Sequence, residues 1–120
     1  MSSLGVPFTD DALESRVQAG IDEIERQLAQ AVDSADTFVA EASAHLLNAG
    51  GKRFRPLLVM LAAEFGDPAQ PEVPRSAVVV ELTHLATLYH DDVMDEAAMR
   101  RGAPSANSRR GNSVAVLVGD

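Results

Sequence analysis

The 120-residue sequence predicts an all-α fold of four to five helices, and three observations support this prediction. Apolar residues in the first third of the chain recur in steps of three and four, which places them along one face of a helix. Clusters of glycine and proline divide the chain at residues 50–56, 66–74 and 102–104. The longest segment between them, residues 75–98, contains neither glycine nor proline.

The first predicted helix begins near Leu13, because apolar residues follow at positions 17, 21, 24, 28 and 32. Either Asp10 or Asp11 can cap its start. Glu14 stands three residues after Asp11, in an arrangement similar to a capping box.

Glycine and proline define the second and third helices. The second begins near Ser34 and ends at Gly50-Gly51, because glycine readily adopts the left-handed conformation that closes many helices. The side chains that we expect it to bury are Phe38, Ala42 and Leu46. Pro56 suits the first turn of a third helix, from Leu57 to about Phe65. This helix is apolar on nearly every side, so we expect it to be buried between neighbours.

The second half of the chain contains a loop and two further predicted helices. Three prolines and a glycine in residues 66–74 predict a surface loop. The fourth helix runs from about Arg75 to Ala98, and residues 101–104 end it. The apolar run 114–118 is compatible with a strand by propensity alone, but the four helices before it favour a fifth helix.

Composition and charge exclude several classes of function. The absence of cysteine excludes disulfides, thiolate catalysis and cysteine-ligated zinc, and it fits a cytoplasmic protein. We expect no signal peptide and no membrane-spanning helix, since no apolar run approaches about 18 residues. The net charge of −8 arises mainly in residues 1–50, which hold nine acidic and two basic residues. We interpret these acidic residues as a solvated helix face. We expect no nucleic-acid partner, because the basic residues form no stripe along one element.

Three carboxylates, those of Asp91, Asp92 and Asp95, lie close together in the fourth predicted helix. Like charges four residues apart destabilise an isolated helix, and no Lys or Arg lies within one turn to neutralise them. Their spacing lets two or three oxygen ligands share Mg²⁺ ions that keep positions open for phosphate oxygens. The alternative is a solvated acidic patch. A calcium loop is disfavoured, because a helix lacks the turn glycine of such a loop.

His84 lies seven residues before Asp91, so the two share one helix face about 10 Å apart along the axis. The alternative is a histidine satisfied within an apolar core, since three leucines surround it in sequence. His90 has no such alignment, and we assign it no role.

Two basic clusters complete the pattern. Residues 50–56, Gly-Gly-Lys-Arg-Phe-Arg-Pro, place three cations at a helix start, where exposed amides favour anions and arginine can bind phosphate bidentately. The alternative is a basic turn. Arg100 and Arg101 follow the carboxylates, and their alternative role is to stabilise the dipole at a helix end. Together the clusters indicate a site for two diphosphates bridged by metal.

Four stretches resemble the trans-isoprenyl diphosphate synthases of the polyprenyl synthetase class. They are GGKRFRP (50–56), ELTHLATLYHDDVMD (81–95), RRGAPSAN (100–107) and GNSVAVLVGD (111–120), in the family's order and spacing. The resemblance implies an antiparallel helix bundle of the isoprenoid synthase type. Residues 1–120 would form the N-terminal part of a single domain, about its first third, with only the first four to five helices.

The resemblance also implies roles for individual residues. Those that would bind the diphosphate of isopentenyl diphosphate are Lys52, Arg55, His84 and Arg101. Arg100 would bind the allylic diphosphate. Asp91 and Asp95 would coordinate Mg²⁺, with Asp92 supporting them. The role of Arg53 stays open, because the family pattern requires only the first lysine and the arginine three residues later.

The activity implied by the resemblance is head-to-tail addition of isopentenyl diphosphate to an allylic diphosphate, by a homodimer of the full-length protein. Mg²⁺ and arginine would neutralise the charge on the departing diphosphate. In this family the residues four and five before the first aspartate help to form the pocket floor. Here these are Thr87 and Ala86, with Thr83 one turn further, and all are small. They predict a long all-trans product, heptaprenyl to nonaprenyl, for a quinone side chain.

An alternative function follows from what these 120 residues lack. They contain no second aspartate-rich motif, which the family needs to complete its magnesium cluster. The alternative is therefore a non-catalytic fragment or partner subunit, and we expect the isolated chain to be inactive. The intact first motif favours enzyme ancestry. A terpene cyclase shares that motif but would not need GGKRFRP, since it takes no isopentenyl diphosphate.

Overall fold

The computed structural model describes residues 4–33, 37–48, 51–95, 98–105 and 111–120, except for the side chains of residues 37–39, 46 and 48. The helices in these ranges are α1 (Asp11–Ala31), α2 (Thr37–Asn48), α3 (Phe54–Ala63), α4 (Glu72–Met94) and α5 (Asn112–Gly119). Two strands, β1 (Met99–Arg100) and β2 (Ala103–Pro104), form an antiparallel pair. The predicted all-α fold is confirmed, with this short hairpin as its only sheet in the described ranges.

The first helix confirms the predicted apolar stripe. The carboxylate of Asp10 accepts hydrogen bonds from the backbone N–H groups of Ala12 and Leu13, at 3.0 and 3.1 Å, so Asp10 is the cap. The buried members of the stripe are Val17, Ile21, Ile24 and Leu28. Burying each such side chain contributes roughly 1.5–3 kcal/mol of hydrophobic stabilisation.

The chain divides into two compact units. The first comprises Met1–Leu28 and Lys52–Glu81, and the second comprises Ala29–Gly51 and Leu82–Asp120. Besides the α1 stripe, the buried apolar residues of the first unit are Leu57, Met60, Ala77 and Val78. Those of the second unit are Ala42, Leu47, Leu85, Leu88, Tyr89 and Ala115. Helix α4 contributes residues to both units.

Side-chain hydrogen bonds to backbone carbonyls connect the elements of the second unit. The Tyr89 hydroxyl donates to the carbonyl oxygen of Ala42 at 2.8 Å, which ties α4 to α2. The Nε2 atom of His90 lies 3.1 Å from the carbonyl oxygen of Val116 and 3.2 Å from a carboxylate oxygen of Asp120. His90, to which the sequence assigned no role, therefore links α4 to the end of α5.

The second and third helices differ in part from their predictions. Helix α2 begins at Thr37, and the predicted start at Ser34 lies outside the described residues. Ala42 is buried as predicted, whereas the side chains of Phe38 and Leu46 lie outside the described ones. Helix α3 begins at Phe54, three residues early. Its predicted burial on all sides is wrong within this chain, because Leu58 is 48% exposed.

Helix α4 begins at Glu72, within the predicted loop, and ends at Met94 rather than Ala98. The predicted helical extension is wrong for Asp95 and Ala98, whereas residues 96–97 lie outside the described residues. Carboxylates in a last helical turn oppose the negative end of the helix dipole and repel one another, which gives a physical reason for the early end. The fifth helix is confirmed over the strand alternative by α5.

A tight hairpin follows α4. Arg101 and Gly102 form its two-residue loop, with φ angles of 55° and 75°. Positive φ at both central positions is the requirement of a type I′ turn, which matches the twist of the paired strands. Among the described residues no helix is long and apolar enough to cross a membrane.

Candidate functional site

Residues 52–56 at the start of α3 belong to the first unit, and their three cations differ in exposure. Arg53, with φ 52° and ψ 38°, is left-handed and precedes the first helical residue. Lys52 and Arg55 are exposed, whereas Arg53 is only 8% exposed. A left-handed conformation costs a non-glycine residue roughly 1–2 kcal/mol, so other interactions must hold Arg53 in this turn.

Two carboxylates pair with the Arg53 guanidinium. Its Nε donates to Oε1 of Glu25 on α1 at 2.6 Å, and its Nη1 donates to Oε1 of Glu81 on α4 at 3.3 Å. Glu81 is 1% exposed, so this pair lies in the interior, where losing one partner is costly. The role of Arg53 was left open by the sequence, and the structure shows that its charge is already matched by two carboxylates.

The aspartates at the end of α4 belong to the second unit and have unequal surroundings. Asp91 and Asp95 are exposed, and the Asp95 backbone N–H donates to the Asp91 carbonyl oxygen at 2.8 Å, one turn apart. Asp95 lies just beyond the helix rather than within it. The Asp92 side chain is fully buried. The predicted triplet thus divides into two exposed carboxylates and one buried carboxylate.

Arg100 neutralises the buried carboxylate. Its Nε donates to Oδ1 of Asp92 at 2.7 Å, and its Nη2 contacts the same oxygen. This hydrogen bond is the main reason why the pKa of Arg100 is raised, although partial burial opposes the shift. Arg100 lies in β1, so its alternative role in the last turn of a helix is wrong. The hairpin places the Arg100 guanidinium beside Asp92, eight residues earlier in the chain. This separation is larger than the single helical turn within which no Lys or Arg is found.

Arg101 lies against the backbone of Gly51, also in the second unit. A Cβ atom on Gly51 would stand 2.9 Å from Cζ of Arg101, closer than real contacts allow. Gly51 also has φ 149°, a conformation that side chains rarely adopt. The structure therefore brings the glycine of the basic segment and the second arginine of the hairpin together, and the positive φ favours glycine at position 51.

The part of α4 that belongs to the second unit begins at Leu82. It contains His84 and the small residues Thr83, Ala86 and Thr87, which precede the aspartates. His84 is partly exposed, and its backbone carbonyl accepts a hydrogen bond from the Thr87 hydroxyl at 2.6 Å. Ala86 lines a cavity of about 260 Å³ in this unit. Thr83 and Thr87 are exposed.

The described residues bring no three carboxylate, histidine or cysteine side chains together around one metal position. The chemistry of the available donors nevertheless fits a divalent cation. Asp91 and Asp95 provide hard oxygen ligands, and Mg²⁺ is commonly bound through one or two carboxylates together with substrate phosphates.

Sequence reasoning missed the partners that hold these groups, namely Glu25, Glu81 and the pairing of Asp92 with Arg100. Glu81 carried one usable signal. It is a single acid that follows the apolar run Ala77–Val80, and a charge in such a run is buried only when it is paired. Glu25 stands among other exposed acids on α1 and carried no such signal.

A sequence model of the family described as Polyprenyl synthetase matches residues 36–120. The chain belongs to this family. Nonaprenyl diphosphate synthase from Mycobacterium tuberculosis is 49% identical over 117 residues, covering 97% of this chain and 35% of the relative. Heptaprenyl diphosphate synthase component 2 from Bacillus subtilis is 46% identical over 100 residues, covering 83% and 29%.

A solved structure gives the same result for the fold of this polyprenyl synthetase chain. Geranylgeranyl pyrophosphate synthase from Corynebacterium glutamicum, complexed with calcium and isoprenyl diphosphate, matches with a TM-score of 0.80 and 49% identity. The match covers 96% of this chain and 35% of that chain. The resemblance to the trans-isoprenyl diphosphate synthases and the isoprenoid synthase type of helix bundle are thereby confirmed. The chain spans about a third of the length of the relatives that it matches.

Proposed function

We propose that residues 1–120 are the N-terminal part of one isoprenoid synthase domain, in a prenyltransferase that adds isopentenyl diphosphate to an allylic diphosphate. The main structural support is the end of α4, where Asp91 and Asp95 are exposed one turn apart while Asp92 is buried against Arg100. Membership of the polyprenyl synthetase family supplies the reaction class.

Each site residue has a proposed role. Asp91 and Asp95 coordinate Mg²⁺, and Asp92 supports the cluster by orienting Arg100. Arg100 binds the allylic diphosphate. The ligands of the isopentenyl diphosphate group are Lys52, Arg55, His84 and Arg101. When bound, the metal neutralises charge on the departing diphosphate and so eases cleavage of the allylic C–O bond.

Magnesium is proposed from the donor set. Both exposed ligands are carboxylates, and magnesium prefers oxygen ligands and retains open positions for phosphate oxygens. The related Corynebacterium glutamicum structure contains calcium, another cation that prefers oxygen ligands, together with isoprenyl diphosphate.

The proposed product is a long all-trans polyprenyl diphosphate, heptaprenyl to nonaprenyl, such as a quinone side chain requires. Relatives of similar identity are named for heptaprenyl, nonaprenyl and geranylgeranyl products, so their names include both long and shorter prenyl chains. The small side chain of Ala86 beside a cavity favours the longer products.

The decisive variant is Asp91→Ala in the full-length protein, assayed with Mg²⁺, labelled isopentenyl diphosphate and farnesyl diphosphate. We expect condensation to fall by about 100-fold or more, because a metal ligand that stabilises leaving-group charge is lost. Asp22→Ala, which removes an exposed carboxylate from α1, should leave the rate unchanged. Condensation by Asp91→Ala at the wild-type rate would falsify the role assigned to Asp91.

A second candidate is a subunit that works only with a partner chain. One relative is named as component 2 of a heptaprenyl diphosphate synthase, which favours this possibility. We propose a cytoplasmic homodimer as the full-length state. Light scattering gives the oligomeric state of the purified full-length protein, and the condensation assay gives its activity. A homodimer that is active alone supports our proposal. Activity that needs a second, different chain supports the alternative.

A further inference from the structure

The three cations of the basic segment differ in exposure and in their partners. Lys52 and Arg55 are exposed, but the Arg53 side chain between them is 7% exposed and lies against carboxylates of two other helices. A cation that binds substrate must be reachable. Burial and existing partners therefore set Arg53 apart from its neighbours.

The partners of Arg53 come from distant parts of the first unit. Glu25 and Glu81 each lie 28 residues from Arg53, one on α1 and one on α4. A guanidinium presents several donors in a rigid fork, so one side chain can hold two carboxylates at once. Arg53 thus connects the start of α3 to both helices.

This connection acts on the turn that separates Lys52 from Arg55. Arg53 is left-handed at φ 52°, a conformation that a non-glycine residue keeps only when its surroundings fix it. Helix α3 starts at the next residue, and the Leu57 N–H donates to the Arg53 carbonyl oxygen at 3.0 Å. The Arg53 backbone therefore determines where the exposed cation on either side of it lies.

We infer that Arg53 is a positioning residue whose buried ion pairs with Glu25 and Glu81 fix this turn and thereby place Lys52 and Arg55 to bind a diphosphate. The inference rests on the proposed function of Lys52 and Arg55. A diphosphate that recruited Arg53 directly would have to displace two carboxylates, one of them buried, whereas the neighbouring cations are exposed.

The test measures kcat and the KM values of isopentenyl diphosphate and farnesyl diphosphate in the full-length protein. Arg53→Met keeps an unbranched apolar side chain about as long as the methylene stem of arginine but removes the guanidinium. We expect it to raise the KM of isopentenyl diphosphate about tenfold or more, because small displacements of binding groups weaken binding strongly. The KM of farnesyl diphosphate should change by less than about twofold, since Arg53 fixes only the turn between Lys52 and Arg55.

Glu81→Gln separates positioning from direct binding. If Arg53 positions the turn, this variant raises the KM of isopentenyl diphosphate as well, and the double variant with Arg53→Met is no worse than the worse single variant. If Arg53 binds substrate directly, Glu81→Gln releases the guanidinium and leaves that KM unchanged or lower, which overturns the inference. A lower melting temperature with all KM values unchanged indicates a purely structural role and also overturns it.

Glu25→Gln provides a milder variant in case Arg53→Met does not fold. It removes the half-exposed carboxylate and keeps the buried pair with Glu81, so we expect a smaller rise in the same KM. Its matched control is Glu23→Gln, which alters a neighbouring α1 carboxylate that pairs with Arg26 and should leave all three parameters unchanged. Equal behaviour of the two glutamine variants counts against the inference.

Lys52→Ala and Arg55→Ala distinguish failure of this inference from failure of the proposed function. If both leave the KM of isopentenyl diphosphate unchanged, the diphosphate assignment is wrong. If they raise it while Arg53→Met and Glu81→Gln do not, only the positioning role of Arg53 is wrong.

Discussion

Asp91 and Asp92 are consecutive residues of α4, yet their side chains have opposite surroundings. Successive residues of a helix are rotated by about 100°, so Asp91 faces solvent while Asp92 is directed inward and meets Arg100. The same separation occurs at Lys52 and Arg53. In each pair the buried charge is matched by an ion pair, and the exposed charge is available to a ligand.

Asp92→Ala should lower the free energy of unfolding of the full-length protein by about 2 kcal/mol, because it removes a charged hydrogen bond and leaves Arg100 without its carboxylate. The Arg100 side chain is 29% exposed, so water can recover part of the loss. Urea denaturation measures the change. Asp22→Ala is the exposed control, and equal midpoints for the two variants would show that the buried pair contributes nothing.

Ala86→Phe should shorten the product of the full-length protein, since a phenyl ring would fill part of the cavity that Ala86 lines. Chromatography of the dephosphorylated products gives the chain length. Ala12→Phe, at an exposed position in the first turn of α1, should leave the length unchanged. If Ala86→Phe and the wild type give products of the same length, Ala86 does not form part of the pocket floor.

The chemistry of individual residues was more predictable than their partners. The aspartates and the cations could be proposed as metal and phosphate ligands from their type and spacing, and these roles stay predictions. Their partners were not, because the pairs of Arg53 each span 28 residues and form only when three helices pack together. Glu81 was the exception, since its position after an apolar run hinted at burial.

At the level of elements, both ends of α4 differ from what its residues predicted. The helix includes Pro74 in its first turn, where proline is tolerated, so it starts before the predicted Arg75. It ends within the aspartate cluster, and a type I′ hairpin follows at residues 99–104. The first helix was predictable from its apolar periodicity, and the second, third and fourth helices were predictable from the glycine and proline clusters between them. The ends were not, because local charge and turn geometry determined them.

Helix α5 is held against α4 by a close approach at Gly119. A Cβ atom there would lie 2.4 Å from Nε2 of His90 and 3.1 Å from the Ala86 carbonyl oxygen. Gly119→Ala should therefore displace His90 from Val116 and Asp120 and destabilise the full-length protein by about 1–3 kcal/mol.

Thermal denaturation of the Gly119→Ala protein tests this contact. The matched control is Gly66→Ala, where the nearest atom to an added Cβ is 3.9 Å away and no clash arises. A lower melting temperature only for Gly119→Ala is the expected result. Equal melting temperatures would mean that α5 does not pack against α4 in this way.

At the scale of the whole molecule, several large apolar side chains among the described residues are exposed. Phe65 is 97% exposed, Met94 is 80% exposed and Leu117 is 68% exposed. Exposed apolar surface of this kind marks faces that other structure covers. The chain spans only about a third of its relatives, which is consistent with further helices packing on these faces.

Residues 1–120 expressed alone should therefore bind a hydrophobic dye strongly and show no prenyl transfer, since they also lack a second aspartate-rich motif. The full-length protein should bind the dye weakly. Fluorescence titration and the condensation assay measure the two properties, and turnover by the isolated segment would refute the view that it contains only one side of an active site.

The most direct test of the proposed function is incorporation of labelled isopentenyl diphosphate by the purified full-length protein, with farnesyl diphosphate as primer. We predict labelled polyprenyl diphosphates of heptaprenyl to nonaprenyl length when Mg²⁺ is present, none after chelation, and recovery when Mg²⁺ is restored. Incorporation that persists without a divalent metal, or no incorporation under any of these conditions, would contradict it.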